Sequence, residues 1–89
     1  MTSYLIYRKG SNAANQSMTP KMAVGIVDAV DYDTALRIAG EQIKCYANQN
    51  LELVEESEME GEDFDNWNYI SERDAELREA GEGSIIFSE

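Results

Sequence analysis

The chain has 89 residues, of which 18 are acidic and 7 basic, giving a formal net charge of −11 at pH 7. A balance so negative repels phosphate backbones and anionic lipid surfaces and attracts basic ones, so direct nucleic-acid or membrane binding is excluded as the main activity. The chain also lacks histidine, which removes the commonest general base and metal ligand and any Ser-His or Cys-His pair.

In chain order, "SYLIYR" (3–8) sets Tyr4 and Ile6 against Leu5 and Tyr7, which predicts a strand with apolar residues on both faces. The next segment holds Gly10, Asn12, Asn15 and Pro20 and predicts a long hairpin loop. "MAVGIVDAV" (22–30) predicts a second strand, antiparallel to the first. Met22, Val24 and Ile26 form its bulky face, and Ala23, Gly25, Val27 and Ala29 a flat one open to close approach. A helix follows, with Asp31 as N-cap and Asp33 near the positive end of the dipole. Its apolar stripe is Leu36, Ala39, Ile43 and Ala47, with Tyr46 beside it and Asn48 or Asn50 at its end. "LELVE" (51–55) alternates Leu51 and Leu53 against Glu52 and predicts a third strand. The order β-β-α-β predicts an α+β fold in which one helix covers one sheet face.

"EESEMEGEDFD" (55–65) holds seven acids in eleven positions, shows no apolar periodicity and predicts a loop. "NWNYI" adds Trp67, Tyr69 and Ile70, and the alternative to a partner anchor is that Phe64 and Trp67 close the second sheet face as ordinary core. "SERDAELREAG" predicts a short helix, with Ser71 and Asp74 in a variant capping box and Gly81 as the stop. "GSIIFSE" fits a last edge strand. The expected organisation is one domain over 1–89, with a core in 1–55, an acidic loop at 55–65 and a C-terminal segment at 66–89.

The charge is lopsided, since residues 52–89 hold fourteen of the eighteen acids against Arg73 and Arg78 alone. The lone Cys45 forms no internal disulfide, which fits a reducing compartment. Arg8 and Lys9 follow the first apolar run, whereas a secretory signal has its basic residues in front. No run approaches the roughly 20 apolar residues of a membrane span. The expectation is a soluble protein of the cytoplasm, the host cytoplasm if the protein is viral.

Cys45 has no activating neighbour in the sequence and no phosphate-cradling glycine pattern occurs, so the chain is expected not to be an enzyme and to need no cofactor. Asp63 and Asp65 have the spacing that opens a calcium loop. The fifth, sixth and twelfth positions are Trp67, Asn68 and Asp74, where such a loop needs Asp or Asn, Gly and Glu, so no specific metal site is expected. A weak acidic cation-binding module is one alternative reading.

The reading preferred from the residues is a binding surface. Carboxylates accept hydrogen bonds from Arg and Lys as phosphates do, and Trp67 and Tyr69 lie among them as aromatic anchors do in interfaces. The expected partner-binding residues are Glu55, Glu56, Glu58, Glu60, Glu62, Asp63, Asp65, Trp67 and Tyr69. The expected partner is a basic protein, one that binds nucleic acid. The profile of small size, strong acidity and missing catalytic groups resembles the acidic proteins with which phages block host defence nucleases, the anti-CRISPR and anti-restriction inhibitors. That resemblance implies an inhibitor acting as a nucleic-acid mimic and carries over no residue role. The apolar faces of the first two strands, which one helix does not cover, suggest instead a self-associating structural or accessory protein, with a homodimer burying the second face.

Overall fold

A computed structural model of the chain describes residues 1–10, 21–45 and 49–89. The predicted hairpin loop over 11–20, and Tyr46, Ala47 and Asn48 of the predicted helix, lie outside the described residues. Strands β1 (Thr2–Gly10) and β2 (Met22–Ala29) lead to helix α1 (Tyr32–Gln42) and strand β3 (Gln49–Glu55). A 3-10 turn (Glu56–Glu58), helix α2 (Gly61–Glu79) and strand β4 (Ile86–Ser88) complete the chain. The sheet order is β3-β1-β2-β4, with β1 antiparallel to β2 and β3, and β4 parallel to β2. The α+β class, the β-β-α-β order and the last edge strand are therefore all present.

Both sheet faces are covered, each by one helix, where a single helix on one face is expected from sequence. The topology supplies the reason. The crossover through α1 runs from β2 past β1 to β3, and the crossover through α2 runs back across the sheet to β4. Two parallel crossovers of the same hand that run in opposite directions place their helices on opposite faces. On the α1 side Tyr4, Ile6, Val27, Ala29 and Leu53 pack with Ala35, Ile38 and Ala39. On the α2 side Leu5, Tyr7 and Ile26 pack with Met59 and Ile70. The apolar face that suggested a homodimer is thus occupied by α2.

Three local differences have physical causes. Tyr7 pairs with Ala23 and Ile6 with Gly25, so Val24 is an extra residue in a β-bulge. The bulge breaks the alternation: Val24 joins the α1-side core and Ile26 the α2-side core instead of sharing one face. Helix α1 stops at Gln42, because Ile43 takes an extended conformation and turns onto the α1-side core. Its buried stripe is Ala35, Ile38 and Ala39 rather than one through Leu36, since the two alanines let the helix lie close to the sheet. As predicted, Asp31 caps it, its Oδ1 accepting from the Thr34 N–H at 2.8 Å, and those bonds hold the Asp31 carboxyl below its ordinary value.

The largest difference is α2. It is one 19-residue helix that absorbs the end of the predicted acidic loop, all of "NWNYI" and the predicted short helix. Ser71 is therefore mid-helix, not a cap. Gly81 does end it, at φ +77°, with the Gly81 N–H donating to the Arg78 carbonyl and the Glu82 N–H to the Leu77 carbonyl. That pair of bonds is the Schellman arrangement, and its positive φ suits glycine. No helix among the described residues is long and apolar enough to cross a membrane.

Gly25 fixes how closely β4 lies to β2. A Cβ at Gly25 would sit 2.7 Å from the Ile85 carbonyl oxygen, a backbone atom that accepts from the Ile26 N–H. Gly25→Ala is expected to lower stability by roughly 1–3 kcal/mol, the usual cost of overpacking. Gly40→Ala, where a Cβ meets nothing, should raise it by roughly 0.5–1 kcal/mol because alanine loses less entropy in a helix. Urea unfolding of both variants checks this pair of opposite signs, and a neutral Gly25→Ala would contradict the close approach.

Candidate functional site

Helix α2 carries two stripes with different work. Its inner stripe is Asp63, Trp67, Ile70, Asp74 and Leu77, separated by alternating steps of four and three residues and all buried or half-buried. Its outer stripe is Glu62, Asp65, Tyr69, Glu72, Glu76 and Glu79, with the same alternation of steps and all exposed. Steps of three and four keep side chains on one side of a helix. The outer stripe is thus acidic at five of its six positions, with one aromatic residue in the middle.

Polar inner positions are matched by polar groups beneath them. The buried Tyr7 hydroxyl donates to Asp63 Oδ1 at 2.6 Å and accepts from Asn66 Nδ2 at 2.9 Å. Asp63 Oδ2 accepts from the Glu60 N–H at 3.1 Å, so one carboxylate holds both the helix start and the sheet. The Tyr7 bond and that backbone bond hold the Asp63 carboxyl below its ordinary value. Burial and the neighbouring Asp63 carboxylate push the Tyr7 phenol up to about 12. Lys21 Nζ lies 4.5 Å from the centre of the Tyr7 ring, and both Lys21 and Lys9 approach Glu52 at under 4 Å. At the other end of α2, Asp74 is only 5% exposed, and its carboxylate accepts from Ser84, Ile85 and Arg78.

The predicted partner-binding residues divide accordingly. Glu56, Glu58, Glu60, Glu62, Asp65 and Tyr69 are exposed. Glu55 is half-buried at the end of β3, opposite Tyr4. Asp63 is bound within the molecule, and Trp67 packs against the α2-side core. Phe64, 48% exposed, joins Tyr69, at 58%, as an aromatic offered to solvent. Sequence reasoning groups Phe64 with Trp67 as a face-closing residue. Phe64 lies only about 60° round the axis from Trp67 but about 120° from the buried Ile70, which leaves it at the rim of the docked face and in solvent. Sequence reasoning also overlooks the acids at 72, 76 and 79, which extend the acidic surface along the helix. Met59, which interrupts the acids, is buried in the α2-side core and anchors the turn between β3 and α2.

The residues with calcium-loop spacing lie in a helix rather than in a loop. Asp63 and Asp65 are both in the first turns of α2, two residues apart and so about 200° apart around the axis. Among the described residues no three His, Cys, Asp or Glu side chains are grouped so as to hold a metal ion. Cys45 is a free, half-buried thiol beyond α1.

Compared with protein-family models, curated proteins and solved structures, the chain matches none.

Tyr7→Phe is expected to lower stability by roughly 1.5–3 kcal/mol, the range for a hydrogen bond to a charged group. The pH dependence has two arms. The Tyr7 proton stabilises the fold fully below the ordinary phenol value of about 10, and that contribution is lost as pH rises towards about 12. The Asp63 and Asp74 carboxylates stabilise it above about pH 4, and that contribution is lost as pH falls through their lowered folded values. Urea unfolding across pH should show Tyr7→Phe losing less stability than wild type between pH 10 and 12. Equal alkaline losses in the two proteins would contradict the assignment.

Proposed function

We propose that the protein is a non-catalytic, cytoplasmic binding protein that inhibits or regulates a basic, nucleic-acid-handling protein. It does so by presenting the outer stripe of α2 in place of a phosphate backbone. The observation that supports this reading is the stripe itself. Five acids between Glu62 and Glu79 cover 17 residue steps, about 25 Å of helix, or about one carboxylate per 5 Å, with Glu76 paired to Arg73 at 3.4 Å. A DNA strand carries one charge per roughly 3.4 Å of axis, so the stripe is within a factor of two of its linear charge density. A groove whose Arg and Lys side chains fork onto phosphates meets carboxylates by the same geometry. Tyr69 among the acids supplies an aromatic anchor of the kind interfaces favour at their centre. Because the inner stripe packs on the sheet, the outer one holds its spacing before binding, and little ordering entropy is lost on association. Absence of histidine fits a protein that acts by occupancy.

The test neutralises the stripe and leaves Asp63 intact, since Asp63 holds the helix in place. Glu62, Glu72, Glu76 and Glu79 become Gln and Asp65 becomes Asn. Wild-type protein immobilised at 0.05 M salt should retain basic proteins from a cell lysate and release them when duplex DNA is added. It should also release them at 1 M salt, where the Debye length is about 3 Å. The five-fold variant, folded by circular dichroism, should retain none of them. Retention of the same proteins by the variant, or retention indifferent to duplex DNA, would overturn the reading.

A further inference from the structure

Asp74 is the one buried charged side chain in the described core, and its partners divide unequally between two segments. Two belong to the segment leading into β4: Ser84 Oγ donates to Asp74 Oδ1 at 2.7 Å, and the Ile85 N–H donates to the same oxygen at 2.7 Å. The third, Arg78 Nε, is 2.9 Å from Oδ2 and lies on α2 itself, one turn away, while its Nη2 donates to Ser84 Oγ at 3.1 Å. Strand β4 spans only three residues at the sheet edge, and Ile85, Ile86 and Phe87 are no more than half-buried. Between α2 and this segment stand Gly81 and Gly83, both with positive φ and both in open space.

From this arrangement we infer that residues 84–89 are a releasable strand and that Asp74 is the positioning residue that latches it. When the segment leaves, Asp74 loses Ser84 and Ile85 but keeps Arg78, so no unpaired charge is left in the protein. An uncompensated buried carboxylate would make opening far costlier. The hinge glycines allow the segment to swing, with loss of the half-buried contacts that Ile85 and Ile86 make on the α2-side core and Phe87 on the α1-side core. Opening bares the edge of β2 between Gly25 and Asp28, while β1 keeps its pairing with β2 and β3. Short edge elements with few buried contacts open below the global unfolding free energy, and Asp74 sets how far below.

Amide hydrogen exchange tests the latch. The reporters are the Ile26 and Glu89 N–H groups, which donate to Ile85 and Asp28 across the β2–β4 edge. In Asp74→Asn and in Ser84→Ala these two should exchange on the order of 10- to 100-fold faster, the factor that goes with losing a hydrogen bond to a charged group. The amides of Leu5 and Ile6 in β1 should be unchanged. Ile70→Val, which trims the α2-side core, should instead speed exchange at β1 and β4 alike. Uniform acceleration in Asp74→Asn and Ser84→Ala, or none at Ile26 and Glu89 in either, would overturn the inference.

Discussion

The hydrogen bond from the Tyr7 hydroxyl to Asp63 decides where the acidic segment stops being connection and becomes helix. Asp63 is at once the acceptor for a buried phenol and for the first free N–H of the helix start. With that carboxylate fixed, Trp67 and Ile70 fall onto the sheet, and every third or fourth residue on the far side faces solvent. The docking covers Leu5, Tyr7 and Ile26 of the sheet with Met59, Ile70 and the half-buried Trp67. A buried aliphatic side chain contributes roughly 1.5–3 kcal/mol and a hydrogen bond to a charged group about the same. Polar pairing at Asp63 and Asp74 therefore adds to the apolar contact a contribution comparable to that of single buried side chains, and α2 is held by matched polar groups as well as by its core face.

That balance explains which parts of the molecule are legible in the sequence. The strands around Tyr4–Tyr7 and Leu51–Val54 announce themselves by alternation, and Asp31 and Gly81 by their capping chemistry. Helix α2 does not, because its inner stripe contains Asp63 and Asp74 beside Trp67, Ile70 and Leu77. A periodicity search for apolar residues reads those acids as solvent-facing. Their partners, Tyr7 and Ser84, are distant in sequence, so the compensation exists only in the folded chain. The bulge at Val24 is hidden for a similar reason, as it depends on the register with β1.

The candidate surface was half legible. Acid density alone points to residues 55–65, but one helix redistributes those residues and others over two sides. Asp63 and Trp67 turn inward as structural groups, while Glu72, Glu76 and Glu79 join Glu62, Asp65 and Tyr69 outside. A net charge of −11 works against compaction through self-repulsion, and turning five of the acids outward along α2 keeps them in solvent and out of the sheet layers. The proposed docking on a basic groove follows from that concentration: the stripe keeps its spacing because the inner face of the same helix is already committed to the sheet.

The central claim is that the acid-rich segment is part of a continuous, docked helix. Assigned backbone chemical shifts of the free protein, with nuclear Overhauser contacts from the Tyr7 ring, test it most directly. The account predicts helical carbon shifts without a break from Glu62 to Glu79 and contacts from the Tyr7 ring to the Asn66 side chain. Coil shifts through residue 70, with a helix starting only at Ser71 and no Tyr7 contact to Asn66, would contradict it.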